Sequence, residues 1–282
     1  MPDAGPKFRD RLEGMEHPLQ AWRDTLEDLG VMGLVREPAQ PLPEAPAARP
    51  VAAAAAPRNL PVPKAPPPAA LSYARPTDPV GCPTPEAVAS ATSLAELHQT
   101  IAGCLACPLG PGRMKFVFGE GAPDARLLFV GEGPGRDEDL QGRPFVGKAG
   151  ELLDKMIGAL GLRREDTYIA NVVCCRPPDN RTPTPGEAQA CLGYLQRQIE
   201  LIRPAVIVTL GATPLRELVG VSEGITRVRG QWKRVTVAGR EIPVMPTFHP
   251  AYVLRQYTQD VRRAVWEDLR AAKAWMDRPD GD

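Results

Sequence analysis

Four of the six cysteines in this 282-residue chain fall into a pattern suited to metal chemistry. Cys104-Leu-Ala-Cys107 is a C-x-x-C pair, and Cys175 and Cys191 follow with fifteen residues between them. By spacing alone, four thiolates suit tetrahedral zinc as well as a four-iron, four-sulfur cluster. The N-terminus, MPDAGPKFRD, has no apolar export segment. A disulfide framework is therefore not expected, and the cytoplasm is the expected compartment.

A second group of reactive side chains stands at the ends of apolar runs. One run leads into Gly131-Glu132-Gly133-Pro134-Gly135. This is not a dinucleotide fingerprint. The third glycine of G-x-G-x-x-G would fall at Arg136, and Pro134 has no N–H to offer a phosphate. It reads instead as a tight glycine turn, followed by Asp137, Glu138 and Asp139 as a solvated acidic loop. Phe145, between Pro144 and a glycine-flanked turn, is either a core ring or an aromatic able to stack a planar base. Asn171 interrupts an apolar run, and a buried amide must find partners. Its acceptor and donors suit the Watson–Crick edge of a base, or neighbouring backbone. His249, one of three histidines, precedes Pro250 at another strand end. It is placed to donate to a developing negative charge.

These positions need a scaffold that gathers strand ends. Residues 126–131, 168–173 and 205–210 read as buried strands, with shorter runs at 235–237 and 242–245. Helical patterns lie between them at about 147–160, 185–201, 214–219 and 261–276. The helix after Thr184 has a clear start: Thr184 as N-cap, Pro185 at the first turn and Glu187 as capping-box partner. The alternation predicts an α/β chain, a three-layer α/β/α arrangement around a mostly parallel sheet. Ligands then belong at the carboxyl ends of the strands.

Composition divides the chain further. Of 33 prolines, fifteen fall between Pro38 and Pro85. Residues 37–86 therefore read as a disordered Pro/Ala-rich linker. Residues 1–36 carry an amphipathic helical segment from about His17 to Val35, and residues 87–282 form the globular domain. Basic and acidic residues balance at 34 each, so any nucleic-acid surface must be a local patch. No run is long and apolar enough for a membrane span.

Four motifs in order give the chain a resemblance to the uracil-DNA glycosylase superfamily, in its family 4, iron–sulfur branch. They are Gly131-Glu-Gly-Pro-Gly135 with Glu138-Asp139, Gly142-x-Pro-Phe-Val-Gly-x-Ala-Gly150, Asn171-Val-Val-x-Cys-Arg-Pro-Pro178 and His249-Pro-Ala-Tyr-x-Leu-Arg255. The resemblance spans about Cys104 to Leu269. It implies a monofunctional enzyme that hydrolyses the N-glycosidic bond of deoxyuridine in DNA, leaving an abasic site for base excision repair. It implies that Phe145 stacks the flipped base, that Asn171 reads its edge and that Glu132 and Gly133 line the pocket. His249 would stabilise uracil O2, and Glu138 would be the carboxylate near the sugar. It also implies a [4Fe-4S] cluster on Cys104, Cys107, Cys175 and Cys191, with Cys82 and Cys174 as non-ligands. The best-known branch carries an aspartate in the first motif where this chain has Gly133. The iron–sulfur branch shares that absence, which leaves the water-activating group open.

Basic residues flank the last motif. Arg229, Lys233 and Arg255 are the expected DNA contacts, with Tyr252–Leu254 as a candidate wedge into the base stack. The expected partner is uracil-containing DNA. A repair or replication protein would dock on the N-terminal helix, and the chain would act as a monomer. The rival reading is a non-catalytic or covalently trapping uracil-DNA binding protein of the same fold. Relatives of that kind carry an Arg-rich, His-containing insertion after the second strand motif. Here Cys175-Arg-Pro-Pro-Asp-Asn runs straight to the capped helix, which favours an enzyme. A zinc-bound nucleotide-binding module is a third reading, separable by its lack of visible absorbance.

Overall fold

The computed structural model describes residues 82–278. The expected helix at 17–35 and the Pro/Ala-rich stretch up to residue 81 lie outside the described residues.

Six strands form one sheet: β1 (Glu120–Gly121), β2 (Leu127–Gly131), β3 (Tyr168–Asn171), β4 (Val206–Leu210), β5 (Lys233–Val237) and β6 (Arg240–Thr247). Their order is β1-β3-β2-β4-β6-β5. The inner four run parallel, and β1 and β5 close the edges antiparallel. Every residue of β2, β3 and β4 is buried. This is why these strands read as continuous apolar runs rather than alternating ones. Edge strand β5 alternates between buried and wet positions. It turns into β6 through Ala238 and Gly239, both at positive φ (48° and 76°), as a two-residue hairpin turn of the primed type requires.

The helices are α1 (Pro85–Ser90), α2 (Leu94–Ile101), α3 (Arg136–Gln141), α4 (Lys148–Ala159), α5 (Pro185–Ile202), α6 (Ala212–Val219), α7 (Ile225–Val228), α8 (Pro250–Arg255) and α9 (Gln259–Met276). Leu128, Val130, Ile207 and Val244 share a core cluster with α1, α2 and α5. The alternate residues Leu127, Phe129, Val206 and Val208 are also fully buried. They face the other layer, where α9 packs along β4 and β6. The result is the three-layer arrangement expected. Helix α5 begins as its sequence predicts: the Thr184 hydroxyl accepts from Glu187 N, and the Glu187 carboxylate accepts from Thr184 N at 2.8 Å.

One expectation changes. The acidic stretch at 137–139 is not a solvated loop but helix α3, with Asp139 3% exposed. Asp139 Oδ1 accepts from Met114 N (2.9 Å) and Lys115 N (3.4 Å). Acids belong in a first helical turn, where amides lack partners. Six residues with no apolar stripe give no periodic signal of such a helix. Helix α1 spans the residue at which the globular domain is expected to begin, 87. Thr84 caps that helix with Pro85 in its first turn, and Cys82 already packs on the core. Pro83 and Pro85 look like linker by composition, yet proline at a helix start is favourable.

Candidate active site

The carboxyl ends of β2, β3, β4 and β6 open into a cavity of ≈ 910 Å³. Its lining includes Glu132, Gly133, Phe145, Asn171 and His249, drawn from four separate segments. The structure thus brings together all the base-binding residues expected from the sequence.

Gly131 and Asn171 end adjacent parallel strands in register. A Cβ at Gly131 would stand 2.4 Å from Asn171 Oδ1 and 2.6 Å from the Phe145 ring. Only a residue without a side chain lets these two groups share one wall. Asn171 is 5% exposed, and its Oδ1 has no hydrogen-bond partner. Buried acceptors are nearly always satisfied, so an unpaired one at the edge of a cavity marks a place for a ligand's donor. The Phe145 ring lies 5.6 Å from the His249 imidazole, with 29° between their planes.

His249 caps α8, and its Nδ1 accepts from Ala251 N at 3.0 Å. That bond assigns the tautomer: Nδ1 holds a lone pair, so Nε2 carries the proton. Burial pushes the imidazole down to about 4, helped by the positive charge of Arg255 and opposed by Glu138. At neutral pH His249 is therefore an uncharged N–H donor.

Two carboxylates of the lining, Glu132 and Glu138, are engaged. Glu132 Oε2 accepts from the Thr213 hydroxyl at 2.5 Å. Thr213 was not foreseen. It sits in the first turn of α6, two residues after Gly211 (φ 98°), which follows β4, so the same strand-end glycine signal was available. Glu138 accepts from three backbone amides: Gly135 (3.1 Å), Val146 (2.8 Å) and Gly147 (2.9 Å). It ties the first glycine turn to the Phe145 segment.

The three expected DNA contacts separate. Arg255 lines the cavity, as do Arg136 and Lys148, and none of the three has an ion pair among the described residues. Arg229 does not line it. Its Nε donates to Asp268 at 2.9 Å, its Nη2 to Asp268 and Ala264 O, and it lies over the Phe248 ring. Asp268 is 2% exposed and also accepts from Thr247 at 2.7 Å. Arg229 is therefore committed to the interior behind the His249 segment. Lys233 begins the edge strand β5 and also lies off the cavity lining. Tyr252 lines the cavity and Leu254 is exposed on α8.

The cysteines gather elsewhere, on the α2 and α5 side of the sheet. Cys104, Cys175 and Cys191 are buried and Cys107 is half-buried, all within one core cluster. Cys107 and Cys191 are near enough to interact, as Cys175 is with Cys104 and Cys107. Cys104 Sγ is 3.1 Å from the Tyr194 hydroxyl. Arg113 donates to Cys104 O (2.5 Å) and Cys175 Sγ (3.6 Å). Burial pushes the Cys175 thiol up to about 11. Cys174 also lies near enough to Cys191 to interact with it, which its place beside Cys175 did not foretell. Among the described residues, no three His, Cys, Asp or Glu side chains stand in the arrangement of a single metal ion.

The uracil DNA glycosylase superfamily matches residues 118–270. A Type-4 uracil-DNA glycosylase of Thermotoga maritima is 50% identical over 184 residues, 64% of this chain and 93% of that protein. A Type-4 uracil-DNA glycosylase of Archaeoglobus fulgidus is 44% identical over 63% of this chain and 90% of its own length. A Type-5 uracil-DNA glycosylase of Pyrobaculum aerophilum is 31% identical over 45% of this chain and 62% of its own.

Proposed function

Because the chain belongs to the uracil-DNA glycosylase superfamily, we propose that the cavity at its strand ends excises uracil flipped out of DNA. The chain is a DNA N-glycosylase, a hydrolase acting on uracil in DNA. The observation that carries the site assignment is the buried, unpartnered Asn171 Oδ1. Uracil offers an N3–H donor and an O4 acceptor side by side, and the Asn171 amide complements both. Phe145 stacks the ring, and Glu132, held by Thr213, closes the wall beside Gly133.

Breaking the N-glycosidic bond builds positive charge on the sugar and negative charge on the departing base. His249 meets the second need by donating from Nε2–H to uracil O2. Its neutrality suits this role, since no proton has to move for the donor to act. Glu138 faces the cavity with its charge spread over three amides, where it favours the sugar cation and holds the Gly135 turn in place. Arg136, Lys148 and Arg255 are the rim cations for phosphate contact.

The four cysteines Cys104, Cys107, Cys175 and Cys191 fit a [4Fe-4S] cluster. Their donors are all sulfur, gathered at one core cluster, and Arg113 supplies a compensating cation. Such a cluster, when bound, is a structural tie with no part in base excision. It would join the turn after α2, the segment after Asn171 and α5. We place the enzyme in the cytoplasm as a monomer acting on uracil-containing DNA. Among the described residues no helix is long and apolar enough to cross a membrane.

Single-turnover assays on oligonucleotides carrying uracil or mismatched thymine, followed by alkali cleavage of abasic sites, test the proposal. Uracil should be released and thymine retained. Gly131→Ala should fold yet lose at least about 10²-fold in rate, because its methyl displaces both base-recognition groups. Full activity in that variant would refute the pocket.

The pH profile is a separate expectation. With the imidazole near 4 rather than 6.5, the chemical rate should stay level as pH falls through 6.5, with its acid limb near 4. A rate that falls below 6.5 would mean an unshifted imidazole, and a rate that rises there would mean that His249 acts as a cation. For stability the sign is the same. The unfolded chain takes up this proton near 6.5 and the folded one only near 4. Stability from this residue is therefore intact above 6.5 and falls as pH drops across that window.

A further inference from the structure

Phe145 has a left-handed backbone (φ 51°), a conformation a bulky residue adopts only where its surroundings impose it. Gly150 leaves the necessary room: a Cβ there would stand 1.9 Å from the Phe145 carbonyl oxygen. Arg164 supplies the attraction. Its Nη1 donates to Phe145 O at 3.2 Å and its Nη2 to Pro144 O at 2.5 Å. The same guanidinium is held from behind, through Nε by Glu120 (3.1 Å) and through Nη1 by Asp154 (2.7 Å). Glu120 is in turn bonded to Arg143. The Arg164 side chain is 17% exposed and does not line the cavity. It lies in a short 3-10 turn, Arg164–Asp166, just before β3, whose far end carries Asn171. One planar fork thus links the segment bearing the aromatic ring to the strand bearing the edge-reading amide.

We propose that Arg164 is a positioning residue for base recognition. By clamping the carbonyls of Pro144 and Phe145 it holds the Phe145 ring at the spacing from Asn171 that a flat base needs. The proposal rests on the reading of Phe145 as the stacking platform. It requires the guanidinium shape as well as its charge. A lysine ammonium is a point charge without the planar fork that serves two adjacent carbonyls and two carboxylates together.

The test compares wild type with Phe145→Ala, Arg164→Ala, Arg164→Lys and the Phe145→Ala/Arg164→Ala double variant. Single-turnover excision, inhibition by free uracil, far-ultraviolet circular dichroism and affinity for uracil-free DNA are measured on each. Arg164→Ala should lose about 10²-fold in rate, the scale of a misplaced binding group. It should weaken uracil inhibition and leave uracil-free DNA binding unchanged. Arg164→Lys should recover only part of the rate. The double variant should be no slower than Phe145→Ala, because Arg164 acts through that ring. If Arg164→Ala does not fold, Arg164→Lys alone and combined with Phe145→Ala gives the same comparison. Wild-type rate and uracil inhibition in the folded Arg164 variant would overturn the proposal, as would losses that multiply with Phe145→Ala. A Phe145→Ala enzyme of unaltered rate would remove the stacking reading, and the proposal with it, before any Arg164 variant is measured.

Discussion

Replacing His249 by alanine should slow single-turnover uracil excision by about 10²–10³-fold, the usual cost of losing one preorganised donor to a developing anion. The geometry makes this expectation specific. Nδ1 is occupied by the Ala251 amide, so Nε2–H is the donor available to a base. The buried, neutral imidazole needs no deprotonation before it acts. Binding of uracil-containing DNA should change far less, because phosphate contacts dominate affinity. His249→Asn can still offer an N–H and is the informative companion. Partial recovery there would tie the loss to donation. The His249 side chain also caps α8, so the alanine variant loses a helix cap, a cost of about 1 kcal/mol that thermal unfolding would register separately. A folded His249→Ala protein that cleaves at nearly the wild-type rate would remove the histidine from the mechanism. The backbone donors of the Gly131–Gly135 turn would then carry the stabilisation.

The second large effect should come from Cys175→Ala. Iron content should fall from four per chain toward zero, with loss of the visible absorbance of the cluster. The melting temperature should drop by roughly 6–12 °C, corresponding to about 3 kcal/mol in a domain of this size. Cys175 follows the Asn171 strand, Cys104 and Cys107 follow α2, and Cys191 lies within α5. Losing the shared ligand would unfasten three segments at once. Cys174→Ala is the decisive control. Cys174 lies near Cys191 but is assigned no iron, so its removal should leave iron stoichiometry intact. Cys82→Ala should do the same. One equivalent of zinc and no iron, in protein purified without oxygen, would reverse the assignment to a zinc site.

Neither Cys174 nor Arg229 could have been placed by reading along the chain. Cys174 and Cys175 are adjacent, and only the path of the chain beyond β3 determines which neighbours each thiol meets. The charges at Arg227, Arg229, Lys233 and Arg234 form a basic stretch in the sequence. In the fold, Arg229 turns inward to Asp268, 39 residues away on α9. A buried carboxylate without a cation is costly, so this pairing outweighs any surface role. The rim is furnished instead by Arg136 and Lys148 with Arg255, the one expected contact that lines the cavity.

The parallel core, the capped α5 and the strand-end positions of Asn171 and His249 were legible in the sequence by itself. Each rests on a local signal: continuous apolar runs for strands buried on both faces, a Thr-Pro-Gly-Glu start for the helix, polar residues where apolar runs stop. Short helices without an apolar stripe, such as α3, left no such signal. The partners of individual polar atoms were decided only by tertiary structure. Asn171 Oδ1 is left unpaired, Glu138 is spread over three amides, His249 is confined to one tautomer and Arg164 is clamped on the Phe145 segment. Periodicity reports which way a side chain faces. A hydrogen-bond partner depends on which distant segment packing brings within about 3 Å of it, and that distance is set by the assembled sheet and its two helical layers.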